Sequence, residues 1–237
     1  MSIAMGVNKM DTKSLAKKEV LRFSAVERFT HGVHAAAFIL LLFTGLGVLL
    51  TGFQPAMKIV GGIDIARDIH RVVGALAVVL VIVGFVLDRK NLPGWITNSL
   101  KFRKDDLEYA KNFPIEFFGG HAPFPPQGKF NGGEKMNILL MFTMCVFIAL
   151  SGFIMWFPAA FPAGLVRWSY PVHSGLVLLL TAVLLAHLYL GLLHPDSNRA
   201  LKGIFTGWVP ADFAREHYEE WFDKLAEEEP ERIKTVK

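Results

Sequence analysis

The sequence predicts an all-α fold, an integral membrane four-helix bundle with both termini cytoplasmic, and three observations lead there. Four apolar stretches are each long enough, at ~1.5 Å rise per residue, to cross a hydrocarbon layer ~30 Å thick. The 237 residues are 52% apolar yet 19% charged, with the charges gathered between those stretches. Of the 25 Lys and Arg residues, 21 fall in the N-terminal segment, the 88–135 connection and the tail, and 4 (Lys58, Arg67, Arg71 and Arg167) in the other two connections. Positive charge stays on the cytoplasmic side, so the first group faces inward. The net charge of +4 is then a topology signal, and nucleic acid is not an expected partner.

Residues 1–28 form a polar, basic segment without the apolar core and small-residue cleavage site of a signal peptide. The first span follows: no Asp, Glu, Lys or Arg occurs from Phe29 to Met57, and Gly52 and Pro55 predict where its helix stops. The second span runs from about Ile69 to Leu87, with Asp68 and Arg71 at one mouth and Asp88, Arg89 and Lys90 at the other. Residues 88–135 are too charged and too rich in Pro and Gly to cross. The third span starts at Met136, and FPAAFPAG separates it from the fourth, Tyr170 to Pro195. The expected domains are therefore 1–28, a membrane domain over 29–195 with a cytoplasmic loop at 88–135, and a charged tail over 196–237, helical in part around PADFAREHYEEWFDKLAEEE. No internal repeat is evident.

The chemistry of the spans lies in their histidines. His173 and His187 are fourteen residues apart on the fourth span, nearly four helical turns, so they share a face ~21 Å apart along the axis. An imidazole in an apolar span is costly unless it faces the protein interior and has a partner. The topology sorts the others by depth: His70 lies at the outer level with His173, and His31 or His34 at the inner level with His187. Each pair joins different helices at one depth, the arrangement that clamps a planar macrocycle between two axial imidazoles, and two six-coordinate b-type haems are the reading. Gly45 is fourteen residues after His31 and Gly84 fourteen after His70. Both positions are expected either to clear a haem face or to allow close helix packing, and the first spacing favours His31 over His34. His34 is otherwise a packing residue. His121, His194 and His217 are assigned no haem, with a part in proton uptake the alternative for His194. Cys145 is the only cysteine, which excludes a disulfide, a C-x-x-C-H haem attachment or a cysteine-ligated cluster within the chain. Copper or zinc lacks enough further ligands at either level.

ERFTH (27–31), DIHRVVG (68–74), KFNGGEKMN (129–137), SGFIMWFP (151–158) and VHSGLVLLLTAVLLAH (172–187) resemble the cytochrome b, or gamma, subunit of membrane-bound respiratory formate dehydrogenases, and the likeness runs from about Arg22 to Trp221. Gly32 stands where that family commonly has an aromatic residue. The resemblance implies haem iron ligated by His31, His187, His70 and His173. It also implies a quinone, menaquinone or ubiquinone, bound near Asn131, Gly132, Gly133 and His187, where Asn131 offers a hydrogen-bond donor; NGGEK is alternatively a turn capping the third helix. Glu134 or Lys135 is placed to relay protons, and Arg67, Arg71 and Arg167 either pair with haem propionates or anchor at the interface. The implied partners are a periplasmic iron–sulfur (beta) subunit and a molybdenum or tungsten pterin catalytic (alpha) subunit, with membrane lipid around the spans and a possible higher-order oligomer of the complex. The chain itself is then the quinone-reducing electron-transfer subunit of a bacterial inner membrane, with no substrate-oxidising site of its own. Cytochrome b subunits of nickel–iron hydrogenases and thiosulfate reductases share the plan and are the alternative. A proton or ion transporter is disfavoured by the scarcity of charged residues within the spans, and a purely structural anchor leaves the matched histidines unexplained.

Overall fold

The computed structural model describes residues 12–120 and 122–236. Residues 1–11, on which much of the no-leader expectation falls, and His121, assigned no haem, lie outside the described residues. The elements in chain order are α1 (Thr12–Leu15), β1 (Lys18–Leu21), α2 (Ala25–Leu49), α3 (Ile63–Leu87), α4 (Leu92–Ser99), α5 (Lys104–Phe117), α6 (Gly132–Trp156) and α7 (Ala163–Leu188). After them come α8 (Leu201–Thr206), β2 (Trp208–Pro210), α9 (Ala211–His217), α10 (Glu219–Glu228) and β3 (Ile233–Thr235).

Four helices, α2, α3, α6 and α7 with its continuation to Leu193, are long and apolar enough to cross a membrane. Their apolar side chains are largely exposed, for example Leu76, Val79, Ile82 and Val83 on α3, as suits a surface solvated by lipid rather than water. All four start before the apolar runs do: α2 includes Glu27 and Arg28, α3 includes Asp64, Arg67 and Asp68, α6 includes Glu134 and Lys135, and α7 begins at Ala163. A helix need not stop where the hydrocarbon does, because charged side chains at its ends reach the interface. The fourth span carries Pro171 inside α7, and one π turn, Tyr189–Leu193, closes it with the His194 N–H bonded to the Tyr189 carbonyl at 2.9 Å. Thr51–Val60 is a 3-10 segment whose Met57 is buried, its thioether standing where a side chain on Gly47 would be.

The described residues divide into two compact units, one made of residues 26–94 and 139–185, the other of residues 12–25, 95–120, 122–138 and 186–236. The first contains most of the apolar helices. In the second, the N-terminal segment, the long connection and the tail fold together. β1 is the central strand of a three-stranded antiparallel sheet in the order β2-β1-β3, with Val20 opposite Val209 and Ile233. Val20, Val209, Phe213, Phe222 and Leu225 form its buried core with α9 and α10. The all-α expectation is thus amended: the protein is mostly helical with a small sheet. Strands of three or four residues are too short to show a two-residue alternation. Gly207, in the left-handed region at φ 89°, turns the chain from α8 into β2.

Candidate functional site

Two hairpins build the His70–His173 site in the same way. On α2, Thr44 donates its hydroxyl proton to the Leu40 carbonyl at 2.9 Å, which leaves the Thr44 oxygen to accept from His70 Nδ1 at 2.9 Å. On α6, Ser151 donates to the Phe147 carbonyl at 2.6 Å, and the His173 Nδ1 lies 3.3 Å from Ser151 Oγ and 2.9 Å from the Ile148 carbonyl. The next residue in each helix is a glycine. A Cβ on Gly45 would meet His70 Cε1 at 3.2 Å, and one on Gly152 would meet His173 Cε1 at 3.1 Å. A hydroxyl–glycine pair on one helix therefore receives a histidine from the helix that follows, in both hairpins. The hydroxyls and carbonyl accept from Nδ1–H, so each ring keeps Nε2 unprotonated, the form in which imidazole ligates a metal.

The two rings face one another with centroids 6.2 Å apart and planes at 69°. A metal held by two imidazole nitrogens at ~2 Å each, with ~1 Å from each nitrogen to its ring centre, needs ~6 Å between centroids. The spacing fits an axial bis-histidine site. Among the described residues no three His, Cys, Asp or Glu side chains converge on one metal position. Two imidazoles suit a metal whose remaining ligands come from a macrocycle, as in haem.

The histidines expected at the inner level divide between the two units. His31, in the first unit, is half-buried on α2. His34, one turn on, has Nε2 3.9 Å from the Cys145 sulfur, and among the described residues its buried Nδ1 has no hydrogen-bond partner. His187, in the second unit, is half-buried near the end of α7 and within electrostatic reach of Glu134.

Glu134 belongs to the start of α6, where the sequence expectation and the capping alternative meet. Asn131 Oδ1 accepts the Glu134 N–H at 2.8 Å and Glu134 Oε2 accepts the Asn131 N–H at 3.1 Å, a reciprocal cap. Among the described residues the Asn131 Nδ2 donor has no partner. Gly132 and Gly133 are packed by α5: a Cβ on Gly132 would meet Tyr109 Cβ at 3.1 Å, and one on Gly133 would meet Tyr109 Cε1 at 3.2 Å. Behind the cap, fully buried Arg22 donates to both Glu134 oxygens at 2.9 and 3.1 Å and to the Lys129 carbonyl at 2.7 Å, and its guanidinium lies 3.8 Å from the Tyr218 ring centre. Tyr218 donates to Glu134 Oε1 at 2.9 Å. Burial works against the Arg22 charge, but Glu134 and then Tyr218 outweigh it and raise its pKa; burial above all raises that of Tyr218. Lys135 is held in a buried pair with Asp106, at 2.7 and 2.9 Å from its two oxygens.

The remaining candidates have local partners. His194 is fully buried: Nε2–H donates to the Glu116 carbonyl at 2.7 Å, holding the end of the fourth span to the end of α5, and Nδ1 accepts from the Ser197 N–H at 3.3 Å. His217 Nδ1 lies 3.2 Å from the Phe213 carbonyl. Arg67 and Arg71 make exposed pairs with Asp64 and Asp68, and Arg167 is exposed. The space beside Gly45 is taken by the His70 ring, and a Cβ on Gly84 would meet Thr30 Oγ1 at 2.8 Å and Leu92 Cδ1 at 3.3 Å, so α3 packs closely there. Sequence reasoning missed Thr44, Ser151, Gly152 and Arg22. The signal for the first three is the recurrence of a hydroxyl residue before glycine in LLFTG and IALSG, 26 and 22 residues ahead of a histidine.

Four helices long and apolar enough to cross a membrane, with a close pair of imidazoles between two of the hairpins, suit an intramembrane cytochrome. A family model described as prokaryotic cytochrome b561 matches residues 22–207, and the chain belongs to that family, whose name implies b-type haem. It is a multi-pass protein of the inner membrane. Similar proteins include the formate dehydrogenase cytochrome b556(fdo) subunit of Escherichia coli K12, 29% identical over 87% of this chain and 93% of that one. The formate dehydrogenase cytochrome b556 subunit of Haemophilus influenzae is 26% identical over 86% of this chain and 82% of that one. The nitrate-inducible formate dehydrogenase cytochrome b556(Fdn) subunit of E. coli K12 is 24% identical over 91% and 95%.

Proposed function

We propose that the chain is the diheme cytochrome b subunit of a formate dehydrogenase complex, passing electrons inward to a membrane quinone. The observation that carries the reading is the His70–His173 pair, 6.2 Å between ring centres with each Nδ1 already hydrogen-bonded; the named relatives direct it to formate dehydrogenase. His70 and His173 hold the outer haem, and His31 and His187 the inner one. When bound, the haems supply one-electron carriers at two depths of the membrane. The electron donor is a periplasmic iron–sulfur subunit served by a molybdenum or tungsten pterin catalytic subunit, and the acceptor is menaquinone or ubiquinone.

Asn131 Nδ2 and His187 are the polar groups offered to a quinone carbonyl, and Gly132 and Gly133 bring the start of α6 against α5 so that Asn131 is held in place. The termini, the 88–135 connection and the 196–237 tail lie in the cytoplasm, with the membrane domain over 29–195. The charge count supports that topology, as does the folding of those segments into one unit, which requires them to share a side. Pyridine haemochrome quantification of the purified complex is expected to give two b haems per chain, and formate is expected to reduce both. One haem per chain overturns the diheme reading; haems reduced by hydrogen but not by formate reassign the partner.

A further inference from the structure

Three carboxylates in the strand-and-tail unit are buried and a fourth, Glu134, is half-buried; three of the four have cations. Glu19 pairs with Lys202 and Lys234, Asp106 with Lys135, and Glu134 with Arg22. Glu116, at the end of α5, is only 6% exposed and has among the described residues no Lys or Arg ion-pair partner. Its Oε2 accepts instead from the buried Tyr109 hydroxyl at 3.3 Å. A carboxylate buried with a phenol rather than a cation is costly to keep ionised. Burial accordingly raises its pKa, against the pull of His217 from α9, Tyr109 from its own helix and His194 from the end of the fourth span; Asp196 adds to the rise. Holding a proton above the ordinary carboxyl range is what a proton-loading group needs.

Tyr109 leads from Glu116 to the start of α6. Its ring stacks on Phe124 with centroids 4.3 Å apart, its Cε1 borders Gly133, and the hydroxyl is in electrostatic reach of Glu134 and Tyr218 as well as Glu116. A carboxyl and a phenol in sequence thus connect the half-buried His217 side of the unit with the residues offered to the quinone. We propose that Glu116 and Tyr109 form the last leg of a proton-entry route to the quinone site, Glu116 as the reservoir and the Tyr109 hydroxyl as the relay. The route rests on the quinone reading above.

Reduction of the quinone takes two electrons, supplied by formate oxidation in the partner subunits, and two protons. For each proton, the Tyr109 O–H bond breaks as a new O–H bond forms toward the quinone oxygen, directly or through water, and the Glu116 carboxyl returns a proton to the phenol oxygen. The carboxylate left behind is reprotonated from cytoplasmic water on the His217 side.

The test uses the intact complex with menadione as the quinone probe and benzyl viologen as a dye accepting electrons from the partner subunits. In Glu116→Gln, formate-to-menadione turnover is expected to fall at least about tenfold, more as pH rises, with formate-to-dye turnover unchanged. Tyr109→Phe keeps the stacked ring and is expected to do the same. Added acetate, a small mobile acid, is expected to restore part of the Glu116→Gln rate, which a merely structural defect does not allow. If Glu116→Gln fails to assemble, as judged by haem content, Tyr109→Phe decides. Unchanged menadione turnover and pH profile in an assembled variant overturn the relay alone. Unmodified complex whose haems are reduced by formate but not reoxidised by menadione overturns the quinone reading.

Discussion

His70 and His173 find their hydrogen-bond partners close by in the chain, 22 to 26 residues away, across one hairpin. In the strand-and-tail unit the buried polar groups reach much further: Tyr218 to Glu134 spans 84 residues, Arg22 to Glu134 spans 112, and Arg232 to the Leu21 carbonyl spans 211. The two regions answer to different solvents. Inside lipid, a side chain that needs a hydrogen bond must meet one at its own depth, and the neighbouring helix of the hairpin is there. Beside water, hydrophobic burial assembles distant segments first, and polar groups caught inside are satisfied by whichever segment lies against them. Local pairing therefore makes a site of fixed geometry, and distant pairing makes a fold.

The largest expected effect lies on the local side. On the proposed diheme reading, His70→Ala removes one of the two nitrogens that would hold the outer haem and is expected to lower b haem from two to one per chain by pyridine haemochrome; a variant with both haems breaks the comparison. On the distant side, Lys135→Met leaves Asp106 buried without its cation, and a loss of about 3–5 kcal/mol is expected in denaturant unfolding followed by tryptophan fluorescence. Adding Asp106→Asn is expected to recover much of it. Thr44→Val keeps the shape but not the acceptor for His70 Nδ1, and haem transfer to apomyoglobin is expected to speed up about tenfold. Ser151→Ala is expected to matter less, because its hydroxyl stands at 3.3 Å and His173 keeps the Ile148 carbonyl at 2.9 Å.

The smallest effect is a pH dependence. Glu19 is held below the ordinary carboxylate range, first by its hydrogen bond with Lys202 and then by Lys234, against some desolvation. A depressed folded pKa contributes stability that is complete above the unfolded value and lost as pH falls through the folded one. Acid unfolding is therefore expected to be shallower in Glu19→Gln. The change is small, since both lysine side chains are half-exposed.

The same contrast explains what the sequence made legible. Span number, the helical character of all four and the meeting of His70 with His173 follow from apolar length, charge placement and a fourteen-residue spacing, all local quantities. Thr44, Ser151 and Gly152 were local too, but a serine or threonine before a glycine in an apolar run also suits plain helix packing, so the pattern acquires meaning only with the rings in view. The sheet and the Arg22–Glu134 contact were not legible, because nothing near Arg22 distinguishes it from the other basic residues of its segment. Glu116 looked like one charge in a polar connection until α5 and the tail enclosed it.

The central position of β1 in the sheet also bears on how the protein is made. One flanking strand, β3, is synthesised some two hundred residues after β1, when all four spans have already left the ribosome. Until then the early strand has an open edge, and the cap over α6 lacks Tyr218 as well. Completion of this unit is therefore a late, post-insertion event, and a nascent chain halted before the tail holds its spans without the finished strand-and-tail unit.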